Sequence, residues 1–429
     1  MLDFKLKRTL NICALILLSV LIGACASGKK LEKTINTTLN LESFTNHFTG
    51  IMIFDPKSGD TLYRLNSDKY FTPASNTKIF TLYTSLLLLP QQIPALKYCN
   101  LNDTLFIEGT GDPSLLHPYL NDSSVTLFLK DFKNISLNQN NFTDSKFGPG
   151  WAWEDYDGYY SAERSALPIF GNVVTIYKTD TLHVVPNYFK SNVTLIKNTI
   201  NREIDTNTFY FDPTRKDTLE IPFKTDNIVI QRLLETALGR EISVVQKMPC
   251  EEKMILPGIL TDSINKRMMQ ESDNFLAEQL LLLASSTLSD TLNTKTAIEY
   301  MLNNHLKGLK QQPRWVDGSG LSRYNLFSPE AIVYVLNALH KEIPKERLFN
   351  LFAEGGESGT IADWYPGNPR PYIYAKTGTL GNNHNISGYL IAKSGKTLIF
   401  SFMNNHFTNP PSDIKKQMQH VFEWVRDNY

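Results

Sequence analysis

The sequence of 429 residues predicts an α/β fold in which the two ends of the chain build one layered unit around a β-rich insert. Two short β-like segments come first, turn-rich alternating segments fill the middle, and helical periodicity dominates afterwards. Basic and acidic residues balance at 43 each, so no nucleic-acid partner is expected. Spacings such as C-x-x-C and H-E-x-x-H are missing from the sequence, so neither a metal nor another cofactor is expected.

Residues 1–24 have the pattern of a bacterial lipoprotein signal peptide. Three basic residues precede an apolar run over 10–22 that is too short for a comfortable membrane span. The small residues directly before Cys25 resemble a lipobox, in which that cysteine becomes the lipidated N-terminus. Residues 25–34 are predicted to form a tether. We therefore expect an exported lipoprotein at the periplasmic face of the cell envelope, in the outer membrane; the alternative is an ordinary secretory signal.

The core layer is predicted to combine residues 35–90 with 255–429. A hairpin is expected first, because a turn containing Pro, Asp and Gly separates two β-like segments. Apolar residues at helical spacing predict most of the later elements. The predicted strands are 50–54, 61–65, 372–376, 386–392 and 397–403, and the predicted helices are 262–270, 273–283, 295–309, 329–341 and 414–427.

The predicted insert covers residues 91–254 and is rich in Asn, Asp, Thr and short alternating apolar runs. One amphipathic helix is expected inside it, ending at Leu238, with Asp226 as its N-cap. Cys99 and Cys250 lie near the two ends of the insert, where the chain leaves and re-enters the core. A disulfide between them and a pair of buried free thiols are both left open by the sequence.

A serine and a lysine three residues apart, Ser75 and Lys78, stand at the start of an apolar helix. Residues at this spacing share one helix face, and the first turn offers free N–H groups and the positive end of the dipole. A lysine in apolar surroundings loses its charge more easily, and a neutral amine beside a hydroxyl activates a nucleophile. Alone, the pattern also fits a capped helix with a solvated lysine.

Two later motifs favour the catalytic interpretation, because S-x-x-K, S-D-N and K-T-G occur here in the order known from penicillin-recognising enzymes. Ser272 and Asn274 flank an aspartate between two helices, where a hydroxyl can relay a proton and an amide can hold Lys78. The alternative is a helix N-cap. The third motif is expected on a strand. Its residues are Lys376, Thr377, Gly378 and Thr379, which supply a positive charge, two hydroxyl groups and room for a neighbouring backbone.

The three motifs together indicate acyl transfer from a peptide that ends in a carboxylate. An extended peptide can add to the edge of the K-T-G strand through main-chain hydrogen bonds. The oxyanion of the reaction is then expected to bind the backbone N–H groups of Ser75 and Thr379.

These motifs resemble those of class C low-molecular-mass penicillin-binding proteins, the D-Ala-D-Ala carboxypeptidase/endopeptidases of peptidase family S13. The 197 positions from Ser75 to Ser272 suit that family, whereas class A β-lactamases have a far shorter gap. The resemblance covers nearly all of the exported chain, and its further matching segments are 109–113, 151–155, 317–323, 355–360 and 403–405.

The resemblance implies a penicillin-binding transpeptidase/β-lactamase-like core, in which an antiparallel sheet is flanked by helices, with a β-rich inserted domain. A nested outer subdomain, 176–218, is expected to be reduced. The implied activity is serine-type D-Ala-D-Ala carboxypeptidase or endopeptidase action on peptidoglycan stem peptides, with β-lactams as covalent inhibitors. The implied roles are Ser75 as nucleophile, Lys78 as base, Ser272 and Asn274 in proton relay and positioning, and Lys376 and Thr377 in carboxylate recognition.

The resemblance also implies which residues recognise the side chain of the substrate. Asp155 and Arg323 are expected to contact the free end of the diamino-acid side chain, and Tyr160 to supply an aromatic contact. Gly381 stands where some family members have a glutamine, so one polar contact is expected to be missing. A serine β-lactamase and a non-catalytic peptidoglycan-binding lipoprotein are the competing hypotheses; the first predicts rapid penicillin turnover and the second a broken motif.

Overall fold

The computed structural model describes residues 29–39, 44 and 46–429, so the predicted signal peptide and the predicted lipidation site Cys25 lie outside the described residues. Residues 29–34 differ from the predicted tether, because they belong to helix α1 at 29–39. The physical reason is helical spacing: Leu31 and Ile35, four residues apart, are both fully buried in the core. Within the described ranges, no helix is both long and apolar enough to cross a membrane.

The remaining elements follow in chain order. The strands are β1 Phe48–Asp55, β2 Asp60–Leu65, β3 Gln92–Leu101, β4 Thr104–Gly109, β5 Asn134–Asn138, β6 Val173–Lys178, β7 Leu182–Val185, β8 Val193–Thr194, β9 Phe209–Tyr210, β10 Leu219–Pro222, β11 Ser243–Val245, β12 Met254–Leu260, β13 Ala353–Glu354, β14 Ile373–Leu380, β15 Asn383–Ile391 and β16 Thr397–Asn405. The helices are α2 Lys78–Leu88, α3 Ser124–Lys130, α4 Asn227–Leu238, α5 Thr261–Gln270, α6 Asn274–Ser286, α7 Thr294–Asn304, α8 Pro329–Glu342, α9 Lys345–Leu351 and α10 Pro411–Asn428.

A six-stranded antiparallel sheet forms the centre of the fold, with the spatial order β13-β14-β15-β16-β1-β2. Side chains alternate across β16, so Phe400 and Phe402 pack with α10 on one face while Ile399 packs with α8 on the other. The helices α2, α5, α6 and α7 lie on the same side of the sheet as α8 and pack with it around one large hydrophobic cluster. The prediction of an antiparallel sheet flanked by helices is therefore confirmed.

A second sheet, ordered β11-β5-β4-β3-β12, is built from the first and last parts of the predicted insert, and its strand β12 runs past the predicted boundary at residue 254 to Leu260. Its strands β3 and β12 pair antiparallel, so the chain leaves and returns through neighbouring strands. Two small sheets, β10-β6-β7 and β8-β9, lie in and around the predicted nested subdomain. A separate hydrophobic cluster fills this part of the protein, and Asp226 caps α4 as predicted, accepting a hydrogen bond from Val229 N.

Cys99 and Cys250 form a disulfide, which decides between the two alternatives left open by the sequence. Their Cα atoms are 6.5 Å apart, and the two residues are separated by 151 positions in the chain. Closing a loop of this length stabilises the folded state by about 5 kcal/mol in the chain-entropy model. Cys99 belongs to β3, and the bond joins the two chain segments just beyond the pair Tyr98–Met254, at the end of the β3–β12 ladder opposite to the pair Gln92–Leu260.

Candidate active site

Ser75 lies in a short 3-10 helix, Ala74–Thr77, that leads directly into α2. The expectation that it occupies the first turn of the α-helix is wrong, because α2 begins only at Lys78. The chain enters through Ala74, whose φ of 48° is left-handed and incompatible with an α-helix. A Cβ on Gly320 would lie 1.8 Å from the carbonyl oxygen of Ala74, so this turn needs a glycine opposite it.

The side chain of Lys78 is fully buried and points at the serine. Its Nζ lies 2.9 Å from Ser75 Oγ, 2.6 Å from Asn274 Oδ1 and 2.7 Å from the carbonyl oxygen of Ser319. Burial lowers its pKa to about 8, against the opposing effect of the nearby carboxylates of Glu278, Asp317 and Asp273. At pH 7 about one tenth of the amine is then neutral, and this form has a lone pair that can accept the proton of the serine hydroxyl.

The second motif places its three residues in different roles. Asp273 is the N-cap of α6, accepting a hydrogen bond from Leu276 N, as the sequence allowed. Asn274 is the first residue of α6; its Oδ1 accepts from Lys78, and its Nδ2 donates to the carbonyl oxygen of Tyr160 at 3.0 Å. Ser272 has a left-handed φ of 60° and lines the same cleft as Ser75. A strained backbone at this position is consistent with a functional site.

The third motif lies on β14, the strand next to the 3-10 helix of Ser75. A Cβ on Gly378 would lie 2.4 Å from the carbonyl oxygen of Pro73 and 3.0 Å from Ser75 N. Only glycine permits this approach, for the reason expected from the sequence. The strand thereby brings its backbone beside the nucleophile.

The side chains of the third motif are held by hydrogen bonds. Lys376 is fully buried, and its Nζ donates to the carbonyl oxygen of Thr377 at 2.9 Å. Burial, followed by the positive charge of Lys78, holds the pKa of Lys376 well below its usual range. Thr377 Oγ1 lies 2.7 Å from Thr360 Oγ1, and Thr379 Oγ1 lies 2.9 Å from His384 Nδ1.

A buried ion pair supports Lys78 from behind, and the sequence motifs did not indicate it. Arg164 Nη2 lies 2.5 Å from Glu278 Oε2, and both side chains are about 1% exposed. The other oxygen of Glu278 accepts from Ser319 N at 2.7 Å, which fixes the residue whose carbonyl oxygen accepts from Lys78. Asp317 orders the same loop by accepting from the backbone N–H groups of Gly320 and Ser322 and from a tryptophan ring.

A cleft of about 810 Å³ joins the three motifs to the residues expected to read the substrate. Asp155, Tyr160 and Arg323 all line it, together with Ser75 and Gly381. Asp155 Oδ1 accepts from the hydroxyl of Tyr160 at 2.8 Å, whereas Arg323 donates to Asn382 Oδ1 at 3.0 Å. Lys78 and Lys376 do not line the cleft, because both are buried behind its wall.

Comparisons with known proteins identify the family and the fold of this chain. The model of the D-Ala-D-Ala carboxypeptidase 3 (S13) family matches residues 31–425. The D-alanyl-D-alanine carboxypeptidase DacB of Haemophilus influenzae is 23% identical over 430 residues, covering 85% of this chain and 86% of the relative. The crystal structure of penicillin binding protein 4 (dacB) from the same organism has a TM-score of 0.69 at 19% identity, covering 93% of this chain and 99% of that one.

A second structure of that Haemophilus protein, complexed with a novel β-lactam, has a TM-score of 0.62 at 18% identity, covering 89% of this chain and 97% of that one. At these identities the solved structures establish the fold, and the family match over most of the chain establishes the family. The family predicted from the motifs, and with it a serine-type D-Ala-D-Ala carboxypeptidase, is confirmed. The chain belongs to the D-Ala-D-Ala carboxypeptidase 3 (S13) family.

Proposed function

We propose that the protein hydrolyses the D-Ala peptide bond of peptidoglycan stem peptides, both terminal and cross-linked, through an acyl-enzyme on Ser75. The observation that carries the proposal is the contact of 2.9 Å between Ser75 Oγ and Lys78 Nζ, an amine whose pKa is lowered to about 8 by burial. A partly neutral lysine in contact with a serine hydroxyl is an activated nucleophile beside a cleft that is large enough for a peptide.

In the acylation step, Ser75 Oγ attacks the carbonyl carbon of the D-Ala residue and its proton passes to Lys78. The backbone N–H groups of Ser75 and Thr379 stabilise the oxyanion, and the carboxylate of the residue that leaves binds at the wall in front of Thr377 and the buried Lys376. The C–N bond breaks as Ser272 relays the proton to the departing amine. Water then hydrolyses the ester and regenerates the serine.

β-Lactams are expected to acylate the same serine and to be released slowly. The Haemophilus protein of similar fold has been crystallised with a β-lactam, which supports this expectation. A serine β-lactamase would instead release the hydrolysed drug rapidly. We propose to test both points by incubating the protein with purified peptidoglycan fragments and, separately, with labelled penicillin, followed by mass spectrometry. Unchanged fragments together with rapid penicillin turnover would contradict the proposal.

We propose that Asp155 and Arg323, an anion and a cation in one cleft, recognise the diamino-acid side chain of the substrate. Asp155 suits the ammonium of a diamino acid, and Arg323 suits the carboxylate that meso-diaminopimelate has and L-lysine lacks. We predict that Asp155→Ala and Arg323→Ala each lose about 10–100-fold in kcat/KM on diaminopimelate-containing fragments, the effect of a lost charge-assisted contact. Penicillin acylation is expected to stay close to that of the unmodified protein, because penicillin has no such side chain.

Arg314→Ala is the matched control, because Arg314 packs on the ring of Tyr324 outside the cleft. It is expected to leave turnover of both substrates unchanged. If Asp155→Ala and Arg323→Ala lower penicillin acylation and peptide turnover equally, and also lower the melting temperature, both residues are structural and the proposed role is wrong.

Anchoring in the outer membrane is proposed from the lipobox-like residues before Cys25. Two or three acyl chains on one cysteine give stable anchoring, whereas one chain binds only marginally. We predict that Cys25→Ser yields an exported protein that fractionates with the soluble periplasm, while Cys13→Ser, which changes a cysteine of the signal peptide, leaves fractionation unchanged. Lipid mass on the N-terminal peptide is the direct measurement. Unchanged fractionation of the Cys25 variant, without lipid mass, would exclude anchoring by this route.

A further inference from the structure

The cleft of Ser75 has a second polar wall, built around Arg267 at the C-terminal end of α5. The guanidinium carbon of Arg267 lies 3.8 Å from the ring centroid of Tyr119. The hydroxyl of Tyr119 donates to Glu220 Oε1 at 2.5 Å, and Arg267 Nε donates to Asp273 Oδ2 at 3.3 Å. All four residues line the cleft, so they form one chain of contacts from the second motif to the insert. We call this group the Arg267 wall.

The terminal nitrogens of Arg267 are available to a ligand. Among the residues that the structure describes, the guanidinium makes its hydrogen bond only through Nε, to Asp273. Stacking on Tyr119 fixes the plane of the group, and the bond to Asp273 fixes its rotation within that plane. The two nitrogens thus present an oriented fork, which matches the geometry of a carboxylate.

The Arg267 wall and the wall of Asp155 and Arg323 lie towards different parts of β14. Arg323 donates to Asn382, just beyond the C-terminal end of that strand. The C-terminal end of α5 lies at the other part of the strand, because a Cβ on Gly359 would lie 2.5 Å from the carbonyl oxygen of Gln270, and the hydroxyl of the next residue, Thr360, lies 2.7 Å from that of Thr377. Glu271 follows Gln270 and continues the Arg267 wall along the cleft. The strand is extended from Lys376 to Leu380, a span of roughly 13 Å, and Asn382 lies in the turn that follows. A peptide bound along β14 can therefore reach one charged wall with its acyl part and the other with its leaving part.

We propose that the Arg267 wall binds a carboxylate of the second stem peptide in a cross-linked substrate, the strand that leaves when the bond at Ser75 is cut. The inference rests on the proposed function, in which the carboxylate of the leaving residue binds at the wall in front of Thr377 and Lys376. Whatever is attached to that residue continues past Lys376 towards Glu271 and Arg267. A terminal D-Ala has nothing attached, so a carboxypeptidase substrate leaves the Arg267 wall unused. The wall is therefore specific for endopeptidase action.

The test compares a cross-linked dimeric fragment with a monomeric pentapeptide fragment on the full protein. Arg267→Ala is expected to lower kcat/KM for the dimer by about 10–100-fold, mainly through KM, and to leave the monomer within twofold. Penicillin acylation is the readout for the geometry of Asn274, and it is expected to be unchanged. Lys266→Ala is the matched control, because it removes a positive charge one residue away that bonds to Asn350 outside the cleft.

Two variants of Tyr119 give a second test of the inference, because neither of them replaces a group that is hydrogen-bonded to Asp273. Tyr119→Ala removes the ring under the guanidinium and is expected to show the same selective loss on the dimer, whereas Tyr119→Phe keeps the ring and is expected to retain dimer turnover. Equal losses on dimer and monomer, or no loss on either in Arg267→Ala, would overturn the inference while the proposed function stands. If the unmodified protein turns over neither fragment, it is the proposed function that fails.

Discussion

Replacing Ser75 by alanine is expected to abolish covalent labelling by fluorescent penicillin and to reduce peptide turnover by at least about 1000-fold. The reason is that Ser75 Oγ supplies the bond to the acyl group, and Lys78 beside it then has no hydroxyl to activate. The measurement is labelling on a gel together with peptide mapping of the acylated residue. The melting temperature is expected to change little, because the variant removes one oxygen atom.

Ser272 is the matched control for this prediction, because it is the second serine of the motifs that lines the cleft. Glycine at position 272 is compatible with the left-handed φ of 60°, so Ser272→Gly removes only the hydroxymethyl group. It is expected to slow turnover while the penicillin adduct still forms on Ser75. An adduct on Ser272 in the unmodified protein, or full labelling of Ser75→Ala, would refute the assignment of the nucleophile.

The sequence predicted those parts of the site that are formed by residues close together in the chain. Ser75 and Lys78 are three residues apart, and Asp273 precedes an apolar helical run, so local spacing indicated that Lys78 lies beside Ser75 and that Asp273 caps a helix. The reason for Gly378 was also predictable, since a glycine in a strand often marks a close approach of another backbone. Their assembly into one cleft followed from the order of the motifs and from the family resemblance.

Contacts between distant segments were not predictable in the same way. Arg164 and Glu278 are 114 positions apart, and the carbonyl oxygen of Ser319 is 241 positions from Lys78. A backbone carbonyl carries no signal of residue type, and a buried ion pair looks like two ordinary surface charges in the sequence. The short helices α3 and α9 were also missed, because seven residues show too little periodicity.

The backbone around Ser75 shows why a secondary-structure prediction from a local sequence pattern can be wrong in detail. An apolar run after a serine predicted an α-helix from that point. The structure has a 3-10 turn instead, because Ala74 takes a left-handed φ beside Gly320. Packing against a loop more than 200 residues later in the chain determines the backbone conformation of Ala74. Helix propensity depends on the local sequence and does not contain this information.

Replacing Lys78 is expected to be nearly as damaging as replacing Ser75, since members of one catalytic unit are not additive. Lys78→Arg is the informative variant, because arginine keeps the positive charge and stays protonated at every accessible pH. We predict that neither Lys78→Ala nor Lys78→Arg acylates at a useful rate between about pH 6 and pH 9, because a neutral amine is required to accept the proton.

The pH profile of the unmodified protein gives the same prediction a second measurement. Burial lowers the pKa of Lys78 to about 8, so the neutral form predominates above that pH and declines below it. The acylation rate is therefore expected to fall about tenfold for each pH unit below the pKa and to level off above it. Stopped-flow acylation at constant ionic strength measures this profile. A rate that is flat from about pH 6 to pH 9, or an active Lys78→Arg variant, would show that Lys78 acts as a fixed charge and that another group takes the proton.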